Sequence, residues 1–247
     1  MASHPYQGIG DHQFWSRAVT WAPPGALDPV VTTRFGVGPD DRVGTMGSCF
    51  AQHLSRHLAR SGLHYFVAEL APPGLSTDAA QARQYGVFSA RYGNVYTVAQ
   101  ALQLFERAYG HFTPAEGPWE REEVLVDPFR PLVEPDGFVD AAALEADRER
   151  HLAATRSVFE DSDVFVFTLG LTEAWRRRAD GAGCATAPGV NGGRSQPSGS
   201  TNSNCPINRA TRSISSGTSS RTFPTSRVAL RPRYEITLAV MAAPSVP

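Results

Sequence analysis

Ser48 and Cys49 stand side by side in GTMGSCFAQHL, residues 44–54. There a short apolar run gives way to helical spacing. A hydroxyl or thiol at such a junction has two uses. Its oxygen can accept a hydrogen bond from the first helical amides, which is N-capping. Alternatively it can attack a carbonyl carbon, with the unpaired N–H groups of Cys49 and Phe50 placed to hold the oxyanion. Spacing alone favours the cap for Ser48. Cys49 could be a second nucleophile, but an unpaired cysteine is most often a small buried hydrophobe, and that is the expectation here. His53 and His57 lie at i, i+4, a spacing that can hold zinc. No glutamate follows His53 in the manner of a zinc protease, so a solvated helix face is expected. Glu173 follows the apolar run DVFVFTL after Gly170, Leu171 and Thr172. Its carboxylate could orient a loop, bind substrate or satisfy local amides. Trp175 could wall a cleft or cover a sheet edge.

The elements that must position these residues follow from hydrophobic period. A short strand is predicted over 41–46. A helix follows over 50–60, with Phe50, Leu54 and Leu58 on one face, widened by Ala51 and Ala59, and with Gly62 as its stop. A second strand is predicted over 64–68, then a loop over 71–90. Thr97 caps a helix running to 109, with Val98, Ala101, Leu102 and Phe105 inward. Short strands are predicted over 123–127 and 138–140, around the turn at 134–137. A long helix over 141–159 places Leu144, Arg148, Leu152, Thr155 and Phe159 on one side. The run 163–169 reads as a strand buried on both faces. Strands alternating with helices predict an α/β fold with a parallel sheet, whose chemistry lies beyond the carboxyl ends of the strands. Two loops leave strands at that end, 47–49 and 170–173.

Composition bounds the function classes. The chain has 247 residues and a net charge of −1. That gives no general affinity for nucleic acid or anionic membrane, so neither is expected as a partner. The basic residues are all arginine, as in GC-rich coding sequences. Cys49, Cys184 and Cys205 form no CxxC pair and no even disulfide framework, so a cytoplasmic setting is expected. The opening residues lack a secretory pattern, and no run of about 18 apolar residues occurs. Residues 1–40, with Phe14, Trp15, Trp21 and Phe35 among Pro and Gly, are predicted as an extended arm packed on the body. Charge shifts abruptly near Asp180. Residues 1–180 hold 23 acids and 16 arginines, a net of −7, whereas 181–247 hold one acid and seven arginines, a net of +6, and the two sum to −1. The later segment is rich in Ser, Thr, Asn, Gly and Pro, which predicts disorder. Out-of-frame translation of GC-rich DNA gives the same mixture, so a frameshift near Gly181 is the sharper expectation beside a flexible basic tail. Within it only YEITLAVMA, 234–242, is predicted as a strand or short buried helix.

Three separated motifs occur in order: GSCFA (47–51), SARYGNVYT (89–97) and FTLGLTEAW (167–175). Together they resemble the GSCFA-domain family over roughly 35–193, ending with APGVNGG. The family resembles a branch of the SGNH/GDSL hydrolases. That resemblance implies a flavodoxin-like three-layer α/β/α fold with a central parallel sheet, incomplete here at its C-terminal end. It implies ester hydrolysis or acyl transfer on a small-molecule or carbohydrate ester, without metal or cofactor. Ser48 would be the nucleophile, beside Cys49. Gly93 and Asn94 would belong to the second block, where a backbone N–H faces the oxyanion. Gly170, Thr172 and Glu173 would stand where the superfamily has Gly-x-Asn, although an ionised carboxylate cannot donate a hydrogen bond. The superfamily's late Asp-x-x-His base has no counterpart, since the last histidine is His151, so an inactive chain is expected. The alternatives are a non-catalytic carbohydrate- or nucleotide-binding module, prompted by Glu173, and an interaction protein whose basic tail meets an acidic partner.

Overall fold

The structure is a computed structural model that describes residues 7–23, 25–26, 35–170, 173–177, 179–185, 207–211 and 237–240. Two compact units are present, Met1–Gly38 and Pro39–Pro247. The first holds a 3-10 turn at Asp11–Gln13 and a π-helical turn at Ser16–Thr20. These residues are helical rather than extended. Arg17 closes the turn, pairing with Asp11 at 2.7 Å and lying 4.2 Å above the Phe14 ring.

In chain order the second unit contains β1 (Val43–Met46), α1 (Cys49–Arg60), α2 (Thr77–Ala82), α3 (Val98–Ala108), β2 (Trp119–Arg121), β3 (Val124–Val126), α4 (Ala141–Asp161), β4 (Val164–Leu169), β5 (Glu173–Arg177), β6 (Gly183–Cys184), β7 (Ile207–Thr211) and β8 (Thr237–Val240). The fold is mixed α/β with a small parallel sheet of order β1–β4–β8. Strand β4, the apolar run, takes the central place. Val43 lies opposite Val164 and Met46 opposite Phe167, so the two strands reach their carboxyl ends together. A second sheet, antiparallel, has the order β6–β5–β7. Strands β7 and β8 fall in the segment whose composition predicts disorder. The strand at β8 is one of the two forms expected there.

Successive β1 residues meet different helices, as the alternation of a strand requires. Thr45 Oγ1 lies 2.8 Å from Ser55 Oγ of α1. Gly44 lies against Val158 and Ser162 at the end of α4. The core gathers Met46, Ala51, Phe88, Tyr92, Leu104, Val158 and Phe167.

All three long helices form where the period predicts, but each is rotated. Helix α1 buries Ala51, Ser55 and Leu58, and Phe50 is 43% exposed. Helix α3 has the expected Thr97 cap, with Gln100 completing a capping box, yet it buries Leu104, Arg107 and Ala108 and exposes Val98 and Leu102. Helix α4, capped by Asp140, buries Leu144, Asp147, His151, Thr155 and Val158. In α1 and α4 polar residues with buried partners draw the face round, whereas in α3 Arg107 turns inward against the Phe129 ring. Residues 64–68 make only a single parallel bridge, Tyr65 to Val43, rather than a strand. The loop at 71–90 contains the short helix α2, capped by Ser76. Phe138 makes one bridge to Leu125, and β3 pairs instead with β2 in a hairpin. Among the described residues no helix is long and apolar enough to cross a membrane.

Gly44 has no room for a side chain. A Cβ there would overlap Ser162 Oγ and lie 3.2 Å from Val158 Cγ1 and 3.3 Å from Phe165 Cδ2. Gly44→Val is expected to cost about 1–3 kcal/mol by overpacking. Urea unfolding should show a lower midpoint with an unchanged slope. An unchanged midpoint would contradict the packing of β1 on α4.

Candidate functional site

The chain turns sharply where β1 ends. Gly47 has φ +152°, and a Cβ there would overlap Thr168 Oγ1 of β4 and sit 3.0 Å from Ala51 Cβ. Only glycine lets β1, β4 and α1 approach so closely. Ser48 comes next, with φ −105°, ψ −156° and 6% exposure. By position it is the N-cap of α1, but its side chain accepts no cap hydrogen bond. The capping expectation therefore holds for the backbone and fails for the hydroxyl. The hydroxyl lies against Gly170 instead: a methyl built on Gly170 would stand 3.2 Å from Ser48 Oγ. Cys49 is exposed, not buried as expected, because it occupies the outer side of the first helical turn. His53 and His57 are both exposed on α1, with Arg56 3.1 Å from His53 Nδ1.

The second motif is bonded to both strand-end loops. Val95 N donates to Gly47 O at 2.8 Å, and Gly170 N donates to Tyr96 O at 3.2 Å. Gln52 of α1 donates to Asn94 Oδ1 at 3.3 Å. Ser89 Oγ accepts from Thr45 N at 2.8 Å. Gly93 has φ +69° and nothing closer than 3.9 Å to a built Cβ. Backbone conformation, not crowding, calls for glycine there. Ser48, Asn94 and Gly170 are thus brought to one place, with Cys49 and Gly93 one residue away. Thr172 and the Glu173 side chain lie outside the described residues. The Glu173 backbone is not in a loop but opens β5, opposite Thr211 of β7. Trp175 sits in that same central strand, 39% exposed.

Sequence reading passed over the residues that hold this loop cluster together. Arg91, within the second motif, is 1% exposed. Its guanidinium donates to Asp147 at 2.9 Å, Glu134 at 2.5 Å, Val133 O at 2.7 Å and Arg83 O at 2.8 Å. Its amide donates to Glu69 Oε2 at 2.7 Å. The same oxygen lies 2.8 Å from His151 Nδ1. His151 is fully buried, and its other nitrogen lies 3.4 Å from Thr155 Oγ1. Both ring nitrogens face partners in the core, so this carboxylate–histidine pair is a structural one. The i, i+4 placement of Asp147 and His151 on α4, opposite an arginine-bearing motif, was the available signal.

A serine at the mouth of a parallel strand, enclosed by two further loops, defines an α/β domain with a candidate nucleophile site. Residues 42–215 match the GSCFA family, and the chain belongs to that family. The matched span runs through β7. No curated protein and no solved structure matches the chain.

Burial lowers the His151 pKa to about 4, and the Arg130 charge adds to this, against the pull of Glu69. Burial would raise that of Glu69, but His151 and the Arg91 amide outweigh it and bring it to about 2. The unfolded groups titrate near 6.5 and 4.5. On acidification the unfolded chain therefore takes up protons first. Stability from the pair is full above pH 6.5 and is lost as pH falls towards 4 and then 2. A loss of about 1 kcal/mol per pH unit is expected between pH 6.5 and 4. His151→Gln should flatten that part of the profile in urea midpoints measured against pH. A flat wild-type profile would overturn the assignment.

Proposed function

We propose that this is an SGNH/GDSL-like serine esterase or acyltransferase domain, of flavodoxin-like type, in which Ser48 is the nucleophile. The observation that carries the reading is the Ser48 hydroxyl: it sits at the carboxyl end of β1 and is not used as a helix cap. Membership of the GSCFA family and the meeting of its three motifs at this point support it. In this reading Ser48 Oγ attacks the ester carbonyl carbon, and the alkoxide that develops is held by the leading amides of α1. Collapse expels the alcohol and leaves an acyl-serine, which passes its acyl group to water or another hydroxyl. Gly170 keeps the floor beneath the hydroxyl free of a side chain.

Ser48 also needs a proton acceptor. No histidine follows His151 in the sequence, and His151 is committed to Glu69. Amides and binding alone retain only a small part of such catalysis, so the chain is proposed to turn over slowly. A fluorophosphonate probe should label the protein weakly, and added imidazole should raise the rate severalfold by serving as the base. Ser48→Ala should abolish the label. Labelling that survives this substitution would rule out Ser48. Thermal stabilisation by a carbohydrate or nucleotide, with no labelling even in imidazole, would favour the non-catalytic binding module.

A further inference from the structure

A small cavity of about 30 Å³ lies between α3, the segment after β3 and the second motif. Its lining includes Tyr92, Asn94, Arg107, Phe129 and Arg130. Three of these carry a buried polar atom that has no hydrogen-bond partner among the described residues: Tyr92 Oη, Arg107 Nη2 and Arg130 Nη1. All three can donate. Buried donors almost always find an acceptor, so three around one cavity point to an acceptor from outside the chain.

The nearby carboxylates cannot fill that role. Asp127 is taken by Arg130 at 3.0 Å and Arg148 at 3.1 Å. Asp147 is taken by Arg91 at 2.9 Å, Arg130 at 2.9 Å and Arg150 at 3.3 Å. Arg107 is 9% exposed and forms no ion pair among the described residues. Its guanidinium lies 4.1 Å from the centre of the Phe129 ring, and its Nη2 has no hydrogen-bond partner among the described residues. Burial lowers its pKa to about 10, so it stays charged at neutral pH. A charge buried this far with Asp127 near but no ion pair in contact is costly, and an entering anion relieves the cost. The wall opposite is fixed. Gln103 accepts from Gly183 N at 2.6 Å and donates to Gly181 O at 2.7 Å, and Gln100 donates to Cys184 O at 3.3 Å.

Size and place narrow the ligand. About 30 Å³ admits roughly two water-sized groups, enough for a carboxylate or one edge of a phosphate but not for a bulky apolar group. Val95 also lines the cavity, and its amide is the one bonded to Gly47. We propose that this cavity binds a small oxyanion carried by the substrate, with Arg107 as the main anchor and Arg130 and Tyr92 completing the donor set. The substrate class is then an anionic ester. That the anion belongs to an ester rests on the reading of Ser48; the anion site itself does not.

Thermal unfolding of the full chain in rising sodium succinate or sodium phosphate, against sodium chloride at matched ionic strength, tests the site directly. A saturable rise in Tm of a few degrees is expected with at least one of the two anions. Succinate acting alone identifies a carboxylate, and phosphate acting alone identifies a phosphate. Arg107→Gln should remove the rise, Arg107→Lys should weaken it, and Ser48→Ala should keep it. In imidazole, the preference for p-nitrophenyl hemisuccinate over p-nitrophenyl acetate should fall at least tenfold in Arg107→Gln. No saturable rise beyond chloride in the wild type would overturn the proposal, as would an undiminished rise in a folded Arg107→Gln. If Ser48 proves unreactive while an anion still raises Tm, the site stands and the esterase reading falls. If Ser48 reacts and neither anion acts, the reverse holds.

Discussion

The buried guanidinium of Arg91 is the contact on which the larger unit depends. It joins α4 through Asp147, the 133–134 turn through Val133 O and Glu134, and the end of α2 through Arg83 O. It also lies 4.2 Å above the Tyr85 ring. A guanidinium suits this place because its planar fork serves several acceptors at once. Each partner carboxylate depends on it in turn, since a buried charge left unpaired costs far more than the pair contributes. The interaction thus acts more through what its loss would expose than through its net strength.

From Arg91 the consequences run to the candidate nucleophile. Two residues on, the chain turns at Gly93. Two further, Val95 bonds to Gly47, and Tyr96 bonds to Gly170. Thr97 then caps α3. Nearly every residue of the second motif therefore has a positioning task, and few are left over for chemistry. Ser48 is different. Its backbone starts α1, but its hydroxyl is left out of the capping arrangement. A hydroxyl so placed lies against Gly170 and makes no cap hydrogen bond, which leaves its lone pairs for other work.

The polar interior is satisfied unevenly. The carboxylates Glu69, Asp127 and Asp147 each accept at least two hydrogen bonds. Among the buried polar atoms left without a partner in the described residues, those of Tyr92, Arg107 and Arg130 belong to side chains that line one cavity. Three donors meeting at one cavity mark it as a place for negative charge, next to the loop that carries Ser48. Anchor and nucleophile would then be separated only by the second motif, whose rigidity comes from Arg91.

Much of this was legible from the sequence. The apolar run of β4 demanded a central place, because a strand with both faces buried needs neighbours on both sides. Thr97 announced its helix, since capping is a local matter of one side chain and the next few amides, whereas Asp140, read as the end of a strand, caps α4 only in the structure. The three motifs pointed to one site before any fold was in view. What the sequence could not decide was where the polar residues point. Periodicity counts apolar positions, so it placed Phe50, Val98 and Leu102 inward and overlooked Ser55, Arg107, Asp147 and His151. Ser55, Asp147 and His151 go inward because partners on other elements receive them, as Glu69 receives His151 across 82 positions, and Arg107 goes inward against the Phe129 ring. Only the tertiary structure brings such partners together. The same holds for Ser48: its type and spacing set it at the mouth of a helix, but only the tertiary structure shows its hydroxyl out of the cap and against Gly170, just beyond β4.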